Sequence, residues 1–123
     1  MYQYTELASH WKHEVAYSWG YVQLNISRTT GLTDINIHVE EDYRGKGFSR
    51  QLVRDLEYYV QRPPKVVYID TDASDGFWDK VGFQRNPRVD DVSVPEYGYE
   101  KCVSWQDLVA FGQQPPGLRT RSR

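Results

Sequence analysis

The chain passes through Val39-Glu40-Glu41-Asp42-Tyr43-Arg44-Gly45-Lys46-Gly47-Phe48-Ser49, where an apolar alternation ends, two glycines follow and a helical stripe begins. Downstream, Phe48, Leu52, Val53, Leu56 and Val60 recur at the spacing that lays them along one side of a helix. That helix is expected to end near Gln61, because Pro63 and Pro64 lack amide donors and restrict the residues before them. A strand that enters a helix through glycines presents amide hydrogens with no intrahelical partner at the positive end of the helix dipole. Gly45 and Gly47 let the backbone bend and come close to a ligand, and Arg44 and Lys46 add mobile positive charge. The turn thus has the parts of a phosphate-binding nest, although the same residues taken alone also describe a basic surface turn.

Upstream, Trp11, His13, Val15, Tyr17 and Trp19 alternate with more polar residues, which predicts a strand over 10–19. Gly20 interrupts it. Val22, Leu24 and Ile26 then alternate with Tyr21, Gln23 and Asn25 until Thr29-Thr30-Gly31 supplies a turn, giving a second strand and a hairpin. In the next strand Ile35, Ile37 and Val39 point one way and Asp34, Asn36 and His38 the other, so the sheet has one apolar and one polar face. After the main helix, Val66, Val67, Tyr68 and Ile69 read as a short buried strand and 74–81 as a short helix. A strand starting at Gly82-Phe83-Gln84 is broken by Asn86-Pro87, and an acidic loop with Asp90, Asp91 and Glu96 follows. The pattern then predicts a strand over 97–103. Ser104 with Asp107 three residues on is an acidic variant of a capping box, opening a helix to about Phe111. Residues 113–123 are expected to form a disordered basic tail behind a single domain of residues 1–112.

Two established phosphate motifs do not match. The nucleotide P-loop needs Gly, four residues, then Gly-Lys-Ser/Thr, and the dinucleotide fingerprint needs a small residue where Arg50 stands. Arg44-Gly45-Lys46-Gly47-Phe48-Ser49 instead resembles the pyrophosphate signature Gln/Arg-x-x-Gly-x-Gly/Ala of the GNAT superfamily of N-acetyltransferases, with Ser49 as its one departure. A second stretch, Phe77-Trp78-Asp79-Lys80-Val81-Gly82-Phe83, resembles that family's Tyr-x-Lys-x-Gly-Phe segment, and the similarity spans about 20–103 in the family's order of elements.

The resemblance implies an α/β (α+β) GNAT-like fold: a mixed, mostly antiparallel sheet with a splayed parallel strand pair and a main helix after the pyrophosphate loop. It implies acetyl-CoA as cosubstrate, with no metal, and transfer of the acetyl group to a primary amine of a small polyamine-like molecule or of a protein lysine or N-terminus. Val39 and its neighbours would meet the pantetheine arm, while Arg44, Gly45, Lys46, Gly47, Phe48 and Ser49 would hold the pyrophosphate. A strand amide would polarise the thioester carbonyl, a role that needs no particular side chain. Trp78 stands where the family often has a tyrosine that protonates the departing thiolate; an indole N–H is not acidic enough for that. Trp78 is therefore expected to pack against the cofactor arm or the core, with Ser74, Tyr97 or water as the donor.

An attacking amine must be neutral, whereas a lysine-like amine, with a pKa of roughly 10.4, is protonated at neutral pH, so the site needs a base or a water chain. His38 and Glu41 are the leading pair for that role, next to Asp34, Asn36 and Glu40; the competing reading makes all of them solvent-facing residues of an uncovered sheet. Few residues precede the 10–19 strand, so the two helices that usually cap the family's sheet are expected to be missing. The polar face formed with Gln23 and Asn25 agrees with that. An open acceptor site follows, suited to a broad or macromolecular acceptor or completed by a second subunit in a homodimer. Asp70, Asp72, Asp75, Asp90 and Asp91 are placed to attract a cationic amine or simply to solubilise the chain.

Composition narrows the alternatives. A length of 123 residues suits one core, and 39% hydrophobic with 26% charged residues is ordinary for a globular domain, so the chain is expected to fold. A net charge of −2 argues against nucleic acid or an anionic membrane as the partner. The lone Cys102 forms no internal disulfide, and neither a signal segment nor an apolar span is visible, so a cytoplasmic protein is expected. His10 and His13 face opposite sides of a strand and are read as surface residues, with no metal site. The rival to an enzyme is a non-catalytic acyl-CoA-binding module of the same fold, to which Trp78 and the short front end point; a nucleic-acid contact through the arginine-bearing tail is the third reading.

Overall fold

The computed structural model describes residues 1–70 and 76–114. Its strands are β1 (Tyr2–Glu6), β2 (His10–Tyr17), β3 (Gly20–Ser27), β4 (Thr33–Val39), β5 (Val66–Ile69), β6 (Gln84–Arg85) and β7 (Lys101–Ser104). Its helices are α1 (Phe48–Tyr59), α2 (Phe77–Val81) and α3 (Trp105–Gln113). The strands form one seven-stranded sheet in the order β1-β2-β3-β4-β5-β7-β6. Every neighbouring pair is antiparallel except β4 and β5, which the α1 crossover makes parallel. The expected mixed, mostly antiparallel α/β sheet with one parallel pair is thus the architecture of the chain.

Alternation sorts the side chains of this sheet. Val15, Val22, Leu24, Ile35, Val67, Ile69 and Val103 lie on one face and are all buried. Against them pack Leu52, Val53 and Leu56 of α1, Trp78 and Val81 of α2, and Leu108 and Phe111 of α3, so a single core lies between sheet and helices. Fully burying a Leu or Val side chain stabilises by about 1.5–3 kcal/mol before entropy is charged against it, so this face holds the fold. On the other face cross-strand register aligns Tyr21 with His38, Gln23 with Asn36 and Asn25 with Asp34. Among the described residues no helix covers this polar face.

Several sequence expectations are corrected. The 10–19 strand ends at Tyr17, because Ser18 and Trp19 form the hairpin turn and Gly20 opens β3. Tyr2–Glu6, which the alternation argument left unassigned, forms β1 along β2. His13 is not a simple surface residue: its Nδ1 meets the Tyr2 hydroxyl at 2.8 Å, and burial holds its pKa below the usual value. The 97–103 strand shortens to Lys101–Ser104, since residues 86–100 form a loop around the buried Asn86. The strand expected from Gly82 narrows to Gln84–Arg85. The last helix reaches Gln113, two residues further than expected, and Ser104 Oγ accepts from the Asp107 amide at 3.1 Å as a capping box requires. The helix expected over 74–81 is seen as Phe77–Val81, the rest of it and most of the expected tail lying outside the described residues.

β1 and β2 are joined by residues 7–9 alone, so no helices stand between the first two strands. No helix among the described residues is long and apolar enough to cross a membrane.

Candidate functional site

β4 pairs with β5 at Asp34↔Tyr68 and then runs on to Val39, while β5 ends at Ile69. A cleft of about 1010 Å³ opens where the two strands part. That volume is at the upper end of small-molecule sites. Its walls come from both faces of the sheet: Asp34, Asn36 and His38 on the polar side, and Ile35, Ile37, Val39, Phe48, Trp78 and Phe111 on the helix side. A ligand lying in it therefore spans from the helix layer to the open polar face.

At one end the cleft meets the glycine turn. After a 3-10 turn at Glu41–Tyr43, Gly45 has φ +75° and Gly47 φ +84°, conformations that cost an L residue about 1–2 kcal/mol. Gly47 is the residue before α1, and the helix start carries no side-chain cap. The first amides of α1 are thus open to an anion at the positive end of the dipole, and residues 43–50 line the cleft. Ser49, the departure from the signature, is among them. Arg44 Nε donates to the Val39 carbonyl at 2.8 Å, and Lys46 Nζ to the Asp42 carbonyl at 3.2 Å, holding both cations at the turn. Sequence reasoning treated Arg50 only as a mismatch to another motif. Its guanidinium lies 4.7 Å over the Phe111 ring, donates to Gln114 Oε1 at 3.0 Å, and keeps a buried Nε with no partner among the described residues, a donor left for an anion in the cleft. The helical period would have placed Arg50 on the first turn, but not Phe111 beneath it.

The second motif has a structural origin. Gly82, at φ +113°, ends α2 and donates to the Trp78 and Asp79 carbonyls, after which Phe83 turns into the core. Trp78 is 7% exposed, packs edge-on against Phe83 at 4.8 Å and Phe77 at 5.0 Å, and also forms part of the cleft wall.

The polar mouth carries the titratable groups. His38 Nε2 lies 2.9 Å from Glu40 Oε2; a carboxylate only accepts, so Nε2 carries the proton and Nδ1 is the atom left to take one. Glu41, the carboxylate paired with His38 on sequence grounds, is exposed in the 3-10 turn; neither it nor Glu40 lines the cleft, and Glu40 is the carboxylate beside His38. Tyr97 is 52% exposed and does not line the cleft, and Ser74 lies outside the described residues. At the polar mouth of the cleft stands Tyr99, whose hydroxyl donates to Asp34 Oδ2 at 3.3 Å. Burial, and then the Asp34 charge, push its pKa up to about 12. Tyr99 was hidden within a misplaced strand, and only the loop fold brings it to Asp34. Of the expected acidic residues, Asp70 lines the cleft, whereas Asp90 pairs with Arg85 at 3.1 Å away from it. No group of residues able to hold a metal ion occurs among the described residues.

Residues 15–83, more than half of the chain and inclusive of both motifs, match the acetyltransferase (GNAT) family. No curated protein and no solved structure matches the chain significantly.

Proposed function

The chain belongs to the GNAT acetyltransferase family, whose members use acetyl-CoA, and from that premise we propose that it transfers an acetyl group from acetyl-CoA to a primary amine by direct attack on the thioester. The observation that carries this reading is the cleft that passes through the sheet and ends at an uncapped helix start flanked by left-handed glycines. The pyrophosphate would lie on the α1 amides with Arg44, Lys46 and Arg50 around it, and the apolar wall of Val39, Phe48 and Trp78 suits the pantetheine arm.

The chemistry needs little from side chains. The amine nitrogen forms a bond to the thioester carbonyl carbon, the oxyanion collapses, the C–S bond breaks, and the amine proton and the thiolate charge must be accommodated. His38, oriented by Glu40, takes the amine proton at Nδ1, directly or through water. Trp78 donates no proton to the thiolate, and the Tyr99 hydroxyl is engaged with Asp34, so water supplies it. Holding thioester and amine together provides most of the rate, which such a site retains without a dedicated acid.

Trp78 favours one second reading, a non-catalytic acyl-CoA-binding module. Calorimetric titration with acetyl-CoA, for the parent and for Gly47→Asp, tests the common premise. Saturable binding abolished by the aspartate supports the donor site, and transfer to any amine then excludes the module. No binding by folded parent protein would overturn both.

A further inference from the structure

Resting on that reading, we propose that the acceptor carries two basic nitrogens: one reacts as the neutral amine near His38, and the second sits as an ammonium at Asp34 under Tyr99 and Tyr68. The acceptor class is therefore an aliphatic diamine or longer polyamine.

Asp34 is half-buried at the polar mouth, at the last residue pair joining β4 to β5. Its partners are neutral: Asn25 Nδ2 donates to Oδ1 at 3.0 Å and the Tyr99 hydroxyl to Oδ2 at 3.3 Å. Among the described residues no basic group lies within ion-pair distance of it. A carboxylate drawn out of water and given only neutral donors retains capacity for a cation. The Tyr99 and Tyr68 rings stand 5.7 Å apart beside it, offering the π faces to which an ammonium is attracted. Asp70 adds a second negative charge that acts on the same tyrosine.

Spacing sets the substrate. Asp34 and His38 share a face of β4 and are four residues apart, which on a strand is about 13 Å between their backbones. One nitrogen does not serve both without the side chains leaning far along the strand; a chain with two basic ends does. Asn36 lies between them, exposed and neutral, so the floor neither repels nor fixes the linking methylenes. The open polar face admits a long, flexible molecule. The seat is held from behind by Asn86, whose Nδ2 donates to the Tyr99 carbonyl at 2.9 Å and to the Glu96 carbonyl at 3.1 Å.

The test is acetyl transfer to butylamine, putrescine and spermidine by the parent, Asp34→Asn and Tyr99→Phe. The parent should prefer spermidine over butylamine in kcat/KM. Asp34→Asn should cut spermidine transfer by roughly tenfold to a hundredfold, the value of a charge-assisted contact, and leave butylamine transfer and acetyl-CoA affinity unchanged. Tyr99→Phe keeps the ring and should cost less. Equal losses for butylamine and spermidine, or none for either, would overturn the second seat while leaving the acetyltransferase reading intact. Should no amine be acetylated, spermidine titration followed at the Asn25 side-chain amide by NMR decides separately. An Asp34-dependent shift then supports the seat although turnover fails, and no shift overturns it.

Discussion

Replacing Gly20 by alanine should damage both fold and cleft through one contact. A Cβ at Gly20 would lie 2.5 Å from the His38 carbonyl oxygen and 3.2 Å from Val39 Cα, both main-chain atoms of the facing strand. Neither can rotate aside, so β4 must move away from β3 and into the cleft that it borders. Overpacking of this kind costs about 1–3 kcal/mol, and the fixed backbone puts Gly20→Ala near the top of that range. Alanine returns about 0.5–1 kcal/mol by limiting the unfolded chain. The net loss is about 2 kcal/mol, or a fall in Tm of roughly 8 °C for a domain of this size. Because the displaced residues are His38 and Val39, acetyl-CoA affinity should fall even where the variant is fully folded. Gly31→Ala is the control: Gly31 has a positive φ, +77°, which Gly20 lacks, but open space around it and no place at the cleft. It should lose stability and keep acetyl-CoA affinity. Thermal melts paired with calorimetric titration check both quantities. A Gly20→Ala protein melting within about 2 °C of the parent with unchanged affinity would refute the reasoning.

Tyr99 should be the last tyrosine at the cleft to ionise. Its folded pKa of about 12 exceeds the ordinary 10.0, so the neutral phenol favours folding. The stability it contributes is fully present below pH 10 and is lost as pH rises through about 12. In a phenolate absorbance titration, Tyr99→Phe should remove the highest-pH component and Asp34→Asn should move it down; an unchanged component would count against the pairing. Asn86→Ala should be costly, since it strands the Glu96 and Tyr99 carbonyls and the Arg88 amide, which donates to Asn86 Oδ1 at 3.0 Å. The expected loss is about 3 kcal/mol by urea unfolding, together with weaker acceptor use and normal acetyl-CoA binding. A loss below about 1 kcal/mol would mean that the loop does not depend on this side chain.

The parts of the protein legible in its sequence are those fixed by local chemistry. Alternation in Val22-to-Ile26 and Ile35-to-Val39 gave the two central strands, because each residue's face follows from its parity alone. The α1 stripe and the proline stop bounded the main helix, and the left-handed glycines marked the turn before it. Family membership followed from two such local signals in order. The mouth of the cleft was less legible. Which carboxylate meets His38 depends on how the chain turns after Val39, and a 3-10 turn sends Glu41 outward while Glu40 folds back. Tyr97 and Tyr99 share a parity, so alternation cannot choose between them; residues 86–100 are a loop wound on one buried asparagine, which leaves Tyr97 exposed and brings Tyr99 to Asp34.

By itself, then, the sequence determined the helix, the central strands, the anion-ready turn and the family, all written in short-range periodicity and backbone freedom. The tertiary structure alone decided the Asp34–Tyr99 contact across 65 residues, the Arg50 stack on Phe111 and the parting of β4 from β5. Those are contacts between distant segments, and no local pattern encodes which side chains packing will bring face to face.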